Sequence, residues 1–285
     1  MSDLSKFPHL EQYIQNLKSI PRGKVKGNIA AGDYSGFIMD AFRMGATPVT
    51  WGLWKEYVNE SGPRSRDSEN RVPLEDPGWG FPDNHPVVNV SWNDIMNPGC
   101  FADWVSILAG FRLTLPTDAQ WVYAKHGGTD SFFPWGRAFD LSKTWGSHKS
   151  NIVTAPQYLL YYPWKYLTKD LFRPSKTAAV DRTNRIFTNG YGLVDMCGNV
   201  SEWCYDLDDS YRTVSWEYGT DYSNPHYITT GLDEGCTRTV FVKEFRSVRS
   251  MSWDDDVSYD GGTLMSRPPD LRSSRLGFRL AAGPM

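Results

Sequence analysis

The sequence predicts a single α+β domain, rich in loops and short of regular secondary structure. Three observations point there. Twenty-five glycines and 18 prolines are spread along 285 residues rather than clustered, which places turns through the whole chain. Helical stripes fall in the first half, whereas the pattern after Gly127 is irregular. Twelve Trp, 15 Tyr and 14 Phe offer enough buried area per residue for one sizeable core.

The elements follow in order. Residues 1–35 form an N-terminal segment in which Leu10, Tyr13, Ile14 and Leu17 fall at helical spacing, so a short amphipathic helix is expected to dock on a main domain spanning 36–285. Phe37 to Met44 alternates as a strand does and ends in a turn at Gly45. Thr50 stands where it caps a helix over Trp51 to Glu60, with Trp51, Trp54 and Val58 on one face. Residues 64–80 are charged and rich in Pro and Gly, hence a surface loop. Pro86 to Val90 is extended. Ser91 and Asp94 have the spacing of a capping box, with Pro98-Gly99 interrupting the helix before the stripe Phe101, Trp104, Val105, Leu108. Thr117 and Gln120 form a second capping box, which turns Trp121 and Ala124 inward. The aromatic run Tyr158 to Phe172, inside an insertion around 155–175, is read as packing under the domain, because left exposed it is large for a monomer.

Composition narrows the function. A formal net charge of −3 with no basic stripe argues against nucleic acid as the main partner. No segment has the length and apolarity to span a bilayer, and the first 32 residues lack the apolar run of a signal peptide. Synthesis in the cytoplasm is expected, compatible with later carriage on a virus particle. Reduced, buried thiols are then expected at Cys100, Cys197, Cys204 and Cys236. Cys197 and Cys204 match neither a C-x-x-C motif nor a zinc spacing, and no histidine is within four residues of a cysteine.

Six segments carry a stronger signal together than any does alone. They are Phe42 to Val49 (FRMGATPV), His85 to Trp92 (HPVVNVSW), Arg112 to Trp121 (RLTLPTDAQW), Phe133 to Gly136 (FPWG), Asn189 to Trp203 (NGYGLVDMCGNVSEW) and Leu276 to Arg279 (LGFR). In this order the sequence resembles the formylglycine-generating-enzyme, or sulfatase-modifying factor, superfamily. The resemblance implies a C-type-lectin-like fold. Most motif residues read as scaffold: Trp92, Trp121, Trp135 and Trp203 as core aromatics with indole N–H groups on loop carbonyls, Gly190, Gly192, Gly198 and Gly277 as special backbone positions, and Arg279 as an anchor for carbonyls or a carboxylate. The G-N-x-x-E-W segment also implies a structural calcium site with Asn199 and Glu202 as ligands. The rival reading pairs Glu202 with an arginine and has Asn199 cap a turn.

The catalytic pair of the family is missing. Generating enzymes carry two cysteines just after a G-G-S-[WY] segment and use them with copper to oxidise a substrate cysteine; soft thiolates suit Cu(I). Registered from Ser252-Trp253, those positions fall on Asp255 and Asp260, and carboxylates are hard ligands. No copper is expected. A second branch, which forms carbon–sulfur bonds with non-haem iron, resembles this domain fused to a helical bundle bearing a histidine motif. The histidines here are His9, His85, His126, His148 and His226, with no H-x-x-x-H among them.

A third branch comprises the variable proteins of diversity-generating retroelements, found in phages, bacteria and archaea. In these the stretch between S-W and G-F-R is mutated at template adenines and shown on one face of the lectin-like scaffold. The equivalent stretch is 254–275, and of its residues only Met265 lies outside the set reachable from randomised Asn codons. The resemblance thus implies a non-catalytic protein that binds a protein or glycan. Its expected contacts are Trp253, Asp254, Asp256, Tyr259, Asp260, Leu271, Ser273, Ser274 and Arg275, since Tyr, Trp and Arg offer area and hydrogen bonds at modest entropy cost. Pro269 and Arg272 match fixed family positions and are expected to be scaffold. The alternative is an enzyme of the same fold that uses the aspartates with a metal, without the cysteine pair.

Overall fold

A computed structural model describes residues 3–24, 38–61, 75–131, 133–137, 140–146, 175–181, 188–207, 228–232, 236–240, 245–255 and 264–283. The aromatic insertion at 158–172 and Asp256, Tyr259 and Asp260 lie outside them.

Helix α1 (Pro8–Gln15) begins with proline at its first turn, where the missing N–H costs nothing. Its next free donors, the N–H groups of His9 and Leu10, are taken at 2.8 and 3.0 Å by the carboxylate of Glu56, which sits on helix α2 (Trp51–Ser61). The expected helix is therefore present, and it is capped by the helix it packs against. Leu17 does not continue it. The chain leaves the helix at Asn16 and becomes strand β1 (Leu17–Ile20). That strand pairs antiparallel with β4 (Phe42–Gly45), Leu17 opposite Gly45 and Ile20 opposite Phe42. On its other side β4 takes β11 (Ala281–Ala282). The N-terminal segment is thus a strand of the domain's own sheet as well as a docked helix. The predicted strand over 37–44 is split into β3 (Ile38–Met39) and β4; β3 pairs with β2 (Gly23–Lys24).

A second sheet has the order β10-β5-β8-β9, from Leu276–Gly277, Ser201–Leu207, Arg246–Arg249 and Met265–Arg267. The pair β10–β5 is parallel and the others antiparallel, with a register irregularity in β5 between Trp203 and Leu207. Strands β6 (Ile228–Leu232) and β7 (Cys236–Val240) pair separately.

Both capping boxes read from the sequence are formed. Ser91 and Asp94 close reciprocally on helix α3 (Trp92–Met96), and Thr117 and Gln120 on helix α5 (Asp118–Lys125). Between them Pro98-Gly99 separates α3 from α4 (Phe101–Ala109), as expected of a residue that cannot continue a helix. The core is aromatic: Phe101 lies 4.9 Å from Trp54 and 5.3 Å from both Tyr57 and Phe278, ring centre to ring centre. Trp92 and Trp203 cross-link two segments. The indole of Trp92 donates to the Cys204 carbonyl at 3.1 Å, and that of Trp203 donates to the Val90 carbonyl at 3.0 Å. Trp135 is half-buried and stacks on Phe133 at 5.2 Å.

The family glycines divide into two kinds. Gly192 and Gly198 have φ of +81° and +110°, which side chains avoid. Gly190 and Gly277 are instead places of close approach, where a Cβ would meet a backbone oxygen at 2.2 and 2.6 Å.

Candidate binding surface

The surface is supported from beneath by two buried ion pairs. Glu202 on β5 and Arg249 on β8 are opposite one another across the ladder, so their side chains leave the same face of the sheet. Helix α5 meets that face with Asp118 and Trp121, which are one helical turn apart. Asp118 takes the guanidinium of Arg249 in two hydrogen bonds, and the Trp121 indole donates to Glu202 Oε2 at 2.8 Å. Glu202 also accepts two bonds from Arg279, both 2.7 Å, and Arg279 donates further to the carbonyls of Gly45, Ala46 and Val194. Glu202, Arg249 and Arg279 are 0% exposed. Such pairs are held only where the remaining donors and acceptors are satisfied.

This geometry commits the side chains expected to hold calcium to other partners. Both oxygens of Glu202 face the Arg279 guanidinium, a cation that would repel a second one. The Asn199 side-chain carbonyl accepts the Ala178 N–H at 2.9 Å, while its amide donates to Ala178 O and to Asp195 Oδ2. The described partners of the two side chains are Arg279 and Trp121 for Glu202, and Ala178 and Asp195 for Asn199. The rival reading holds for both: Glu202 pairs with an arginine, and Asn199, with φ of +69°, secures a turn. The expectation for the tryptophans is also refined, since Trp121 donates to a carboxylate and not to a loop carbonyl.

Strand β8 ends at Arg249, and Ser250, with φ of +68°, turns the chain into the segment that carries Ser252 to Asp255. Asp255 is the residue that the register from Ser252-Trp253 sets at the first cysteine position. Its Oδ2 accepts the N–H and the hydroxyl of Ser252 at 2.9 and 2.6 Å, so the carboxylate closes its own loop. Trp253 is fixed at both ends: its N–H donates to the Asn199 carbonyl at 2.8 Å and its indole to the Ser274 carbonyl at 3.0 Å. Asp254 is buried and pairs with Arg275. The segments 252–255 and 273–275 are thereby tied together twice, through Trp253–Ser274 and Asp254–Arg275.

The expected contacts are not placed alike. Trp253, Leu271, Ser273 and Ser274 are half-buried, and the Arg275 side chain is 51% exposed. Leu271 packs against the main core. Asp254 points inward, where it holds Arg275 and presents little of itself. Arg272 and Pro269 act as expected of scaffold. Arg272 makes two bonds to Asp94, at 2.8 and 2.7 Å, and the Pro269 carbonyl accepts the Asn93 N–H. Asp94 thus serves its capping box and this arginine together.

One residue of this region was not anticipated. Trp79 meets Trp253 edge to face, with ring centres 5.5 Å apart. Its loop is pinned by Asp76, which accepts the N–H groups of Gly78 and Gly80 at 2.8 Å each. A tryptophan between two glycines in a polar loop was the available signal; nothing local links it to Trp253.

Cys100, Cys197 and Cys204 are free thiols, and burial pushes the Cys204 thiol well above the usual range, which makes it unreactive. Among the described residues no group of three or more His, Cys, Asp and Glu side chains converges on a point where a metal ion could sit. No helix among them is long and apolar enough to cross a membrane.

Comparison with known proteins agrees with this geometry. The sulfatase-modifying factor enzyme 1-like domain matches residues 11–283. The formylglycine-generating enzyme of Thermomonospora curvata is 33% identical over 214 residues, 74% of this chain and 60% of that protein. The one from Mus musculus is 29% identical over 260 residues, 87% of this chain and again 60% of the relative. The match therefore spans less than two thirds of either relative. Among solved structures, Treponema denticola variable protein 1 superposes with a TM-score of 0.56 at 22% identity, covering 94% of this chain and 95% of its own. The fold is the α+β, C-type-lectin-like one that the six segments implied.

Proposed function

This chain belongs to the sulfatase-modifying factor enzyme 1-like family, and on that premise we propose that it works by binding a ligand or receptor and not by oxidising a cysteine. The observation that carries this reading is Asp255. A carboxylate stands at the first cysteine position and is held by Ser252, so the thiolate chemistry of the generating enzymes has no group to run on there. Beside it Trp253 and Asp254 bind the segment 252–255 to Ser274 and Arg275, an arrangement that fixes a surface without fixing every side chain on it. Trp253, Ser273, Ser274 and Arg275 are its described contacts, with Asp256, Tyr259 and Asp260 proposed to complete it.

Within that reading the protein is a variable protein of a diversity-generating retroelement. The likeness to Treponema denticola variable protein 1 supports the scaffold, and the residue content of 254–275 supports the diversification. Sequencing the flanking DNA tests this. A reverse-transcriptase gene and a near-copy of the 3′ coding segment, differing at adenines, are expected; a locus with neither removes the retroelement from the account.

The competing reading, an enzyme that uses aspartates with a metal, makes a different prediction. Purified protein would carry a transition metal that Asp255→Ala and Asp260→Ala release. A protein in which these substitutions change no metal content favours binding.

A further inference from the structure

A cavity of about 230 Å³ opens between the β1–β2 turn, the end of α5 and the turn around Tyr191. It shares no residue with the proposed binding surface. Arg22, Lys24, Tyr123, His126, Thr129 and Tyr191 line it, and none of its lining residues is acidic. Its volume is below the roughly 300–1,000 Å³ of pockets for drug-sized ligands, so a ligand that fills it is small.

The hydrogen bonds around the cavity are largely committed, and what they leave over is informative. Tyr123 donates its phenol proton to the Pro21 carbonyl at 3.0 Å. Tyr191 stands beside it, with ring centres 6.1 Å apart. His126 Nδ1 lies 2.8 Å from the Ser131 carbonyl. A carbonyl only accepts, so Nδ1 carries the proton and Nε2 is left with a lone pair. That Nε2 is buried and has no partner. Arg22 contacts Asp40 through Nε alone, which keeps its two terminal nitrogens for other acceptors.

We propose that this pocket binds a small organic oxyanion, a phosphate or carboxylate on a short hydroxylated body, with Lys24 and Arg22 taking its charge and His126 its nearest hydrogen bond. A cationic, acid-free lining selects an anion, and an unmatched imidazole nitrogen selects a ligand that can complete it. In the free protein, burial and the Lys125 charge hold His126 below the usual imidazole range, against the opposing Ser131 bond and Asp130. The groups that act on the ring are these, with Arg22 and Lys24 from the β1–β2 turn and the phenols of Tyr123 and Tyr191. An anion beside the ring favours its protonated form, so binding takes up a proton and tightens as pH falls through the raised value.

The test is calorimetric titration of the full chain with glycerol 3-phosphate, glycerate and glycerol, at about pH 6 and about pH 8, on either side of the ordinary histidine value. One or both anions should bind, more tightly at the lower pH, and glycerol should not; which anion binds assigns a phosphate or a carboxylate site. Lys24→Glu, at an exposed position, should weaken binding about tenfold or more. His126→Gln should keep binding and lose the pH dependence seen with glycerate, whose carboxylate is ionised at both pH values. The proposal is overturned if neither anion binds at millimolar concentration, or if both variants, with unchanged thermal midpoints, bind as the parent does.

Discussion

The guanidinium of Arg275 is paired with the carboxylate of Asp254, whose side chain is 7% exposed while that of Arg275 is 51% exposed. The contact joins the first and last residues of the stretch proposed for display. One partner is thus shielded and the other open to a ligand, which separates their roles. On the proposed function, Asp254 positions and Arg275 touches the ligand.

The asymmetry predicts the cost of breaking the pair. Arg275→Ala removes this charged partner from a shielded carboxylate and should destabilise by about 1–2 kcal/mol. Asp254→Ala with Arg275→Ala should cost less than the sum of the single changes. Urea unfolding of the four proteins measures this; strict additivity would mean the pair is not formed in solution.

The Glu202–Arg279 pair is wholly buried, and its loss should be far more costly. Arg279→Ala strands Glu202 with only Trp121 as a donor and should cost about 3–5 kcal/mol. The same geometry predicts that adding calcium or a chelator leaves the thermal midpoint of the parent unchanged. A calcium-dependent rise in the midpoint that Glu202→Gln abolishes would restore the calcium site.

Asp206 sets a pH dependence. Burial, with the nearby Asp118 charge, raises its carboxyl above the ordinary value. A raised folded-state value means that the protonated form is favoured by folding. Its contribution is full below the unfolded carboxylate value and is lost as pH rises through the folded one. Asp206→Asn stays neutral and keeps an oxygen for the Asp118 N–H, so it should be more stable than the parent at about pH 7. That advantage should vanish near pH 3, below the ordinary carboxylate value of about 3.9. Thermal midpoints at both pH values check it; an equal gap at each contradicts it.

Trp79 should be coupled to Trp253. An edge-to-face pair contributes about 0.5–1.5 kcal/mol beyond its buried area. A double-mutant cycle of Trp79→Ala and Trp253→Ala should return an interaction energy of that size. A value near zero would detach the loop around Trp79 from the surface.

What the sequence made legible follows from how local each cause is. The boxes at Ser91/Asp94 and Thr117/Gln120 need only four consecutive residues, and both formed as read. The strand character of Leu17 to Ile20 was hidden, because its cause is β4, far along the chain, and Leu17 also fits the stripe of α1. The split of the strand at Asp40-Ala41 is equally non-local, since β3 and β4 answer to different partners. At the surface, Trp253 was found from its motif, whereas the inward turn of Asp254 depends on where Arg275 arrives. Glu202 shows the limit most clearly. Its segment fits both a calcium ligand and an arginine partner, and only the arrival of Arg279 beside β5 decides between them.

On our proposal, this member of the family binds a ligand and does not oxidise cysteine. The direct measurement is mass spectrometry of a cysteine-containing peptide substrate after incubation with the purified protein, supplied copper and oxygen, with the Thermomonospora curvata enzyme as a positive control. The account predicts that the cysteine peptide is recovered unchanged. Conversion of that cysteine to formylglycine at a rate comparable to the control would contradict it, whatever the partners of Asp255.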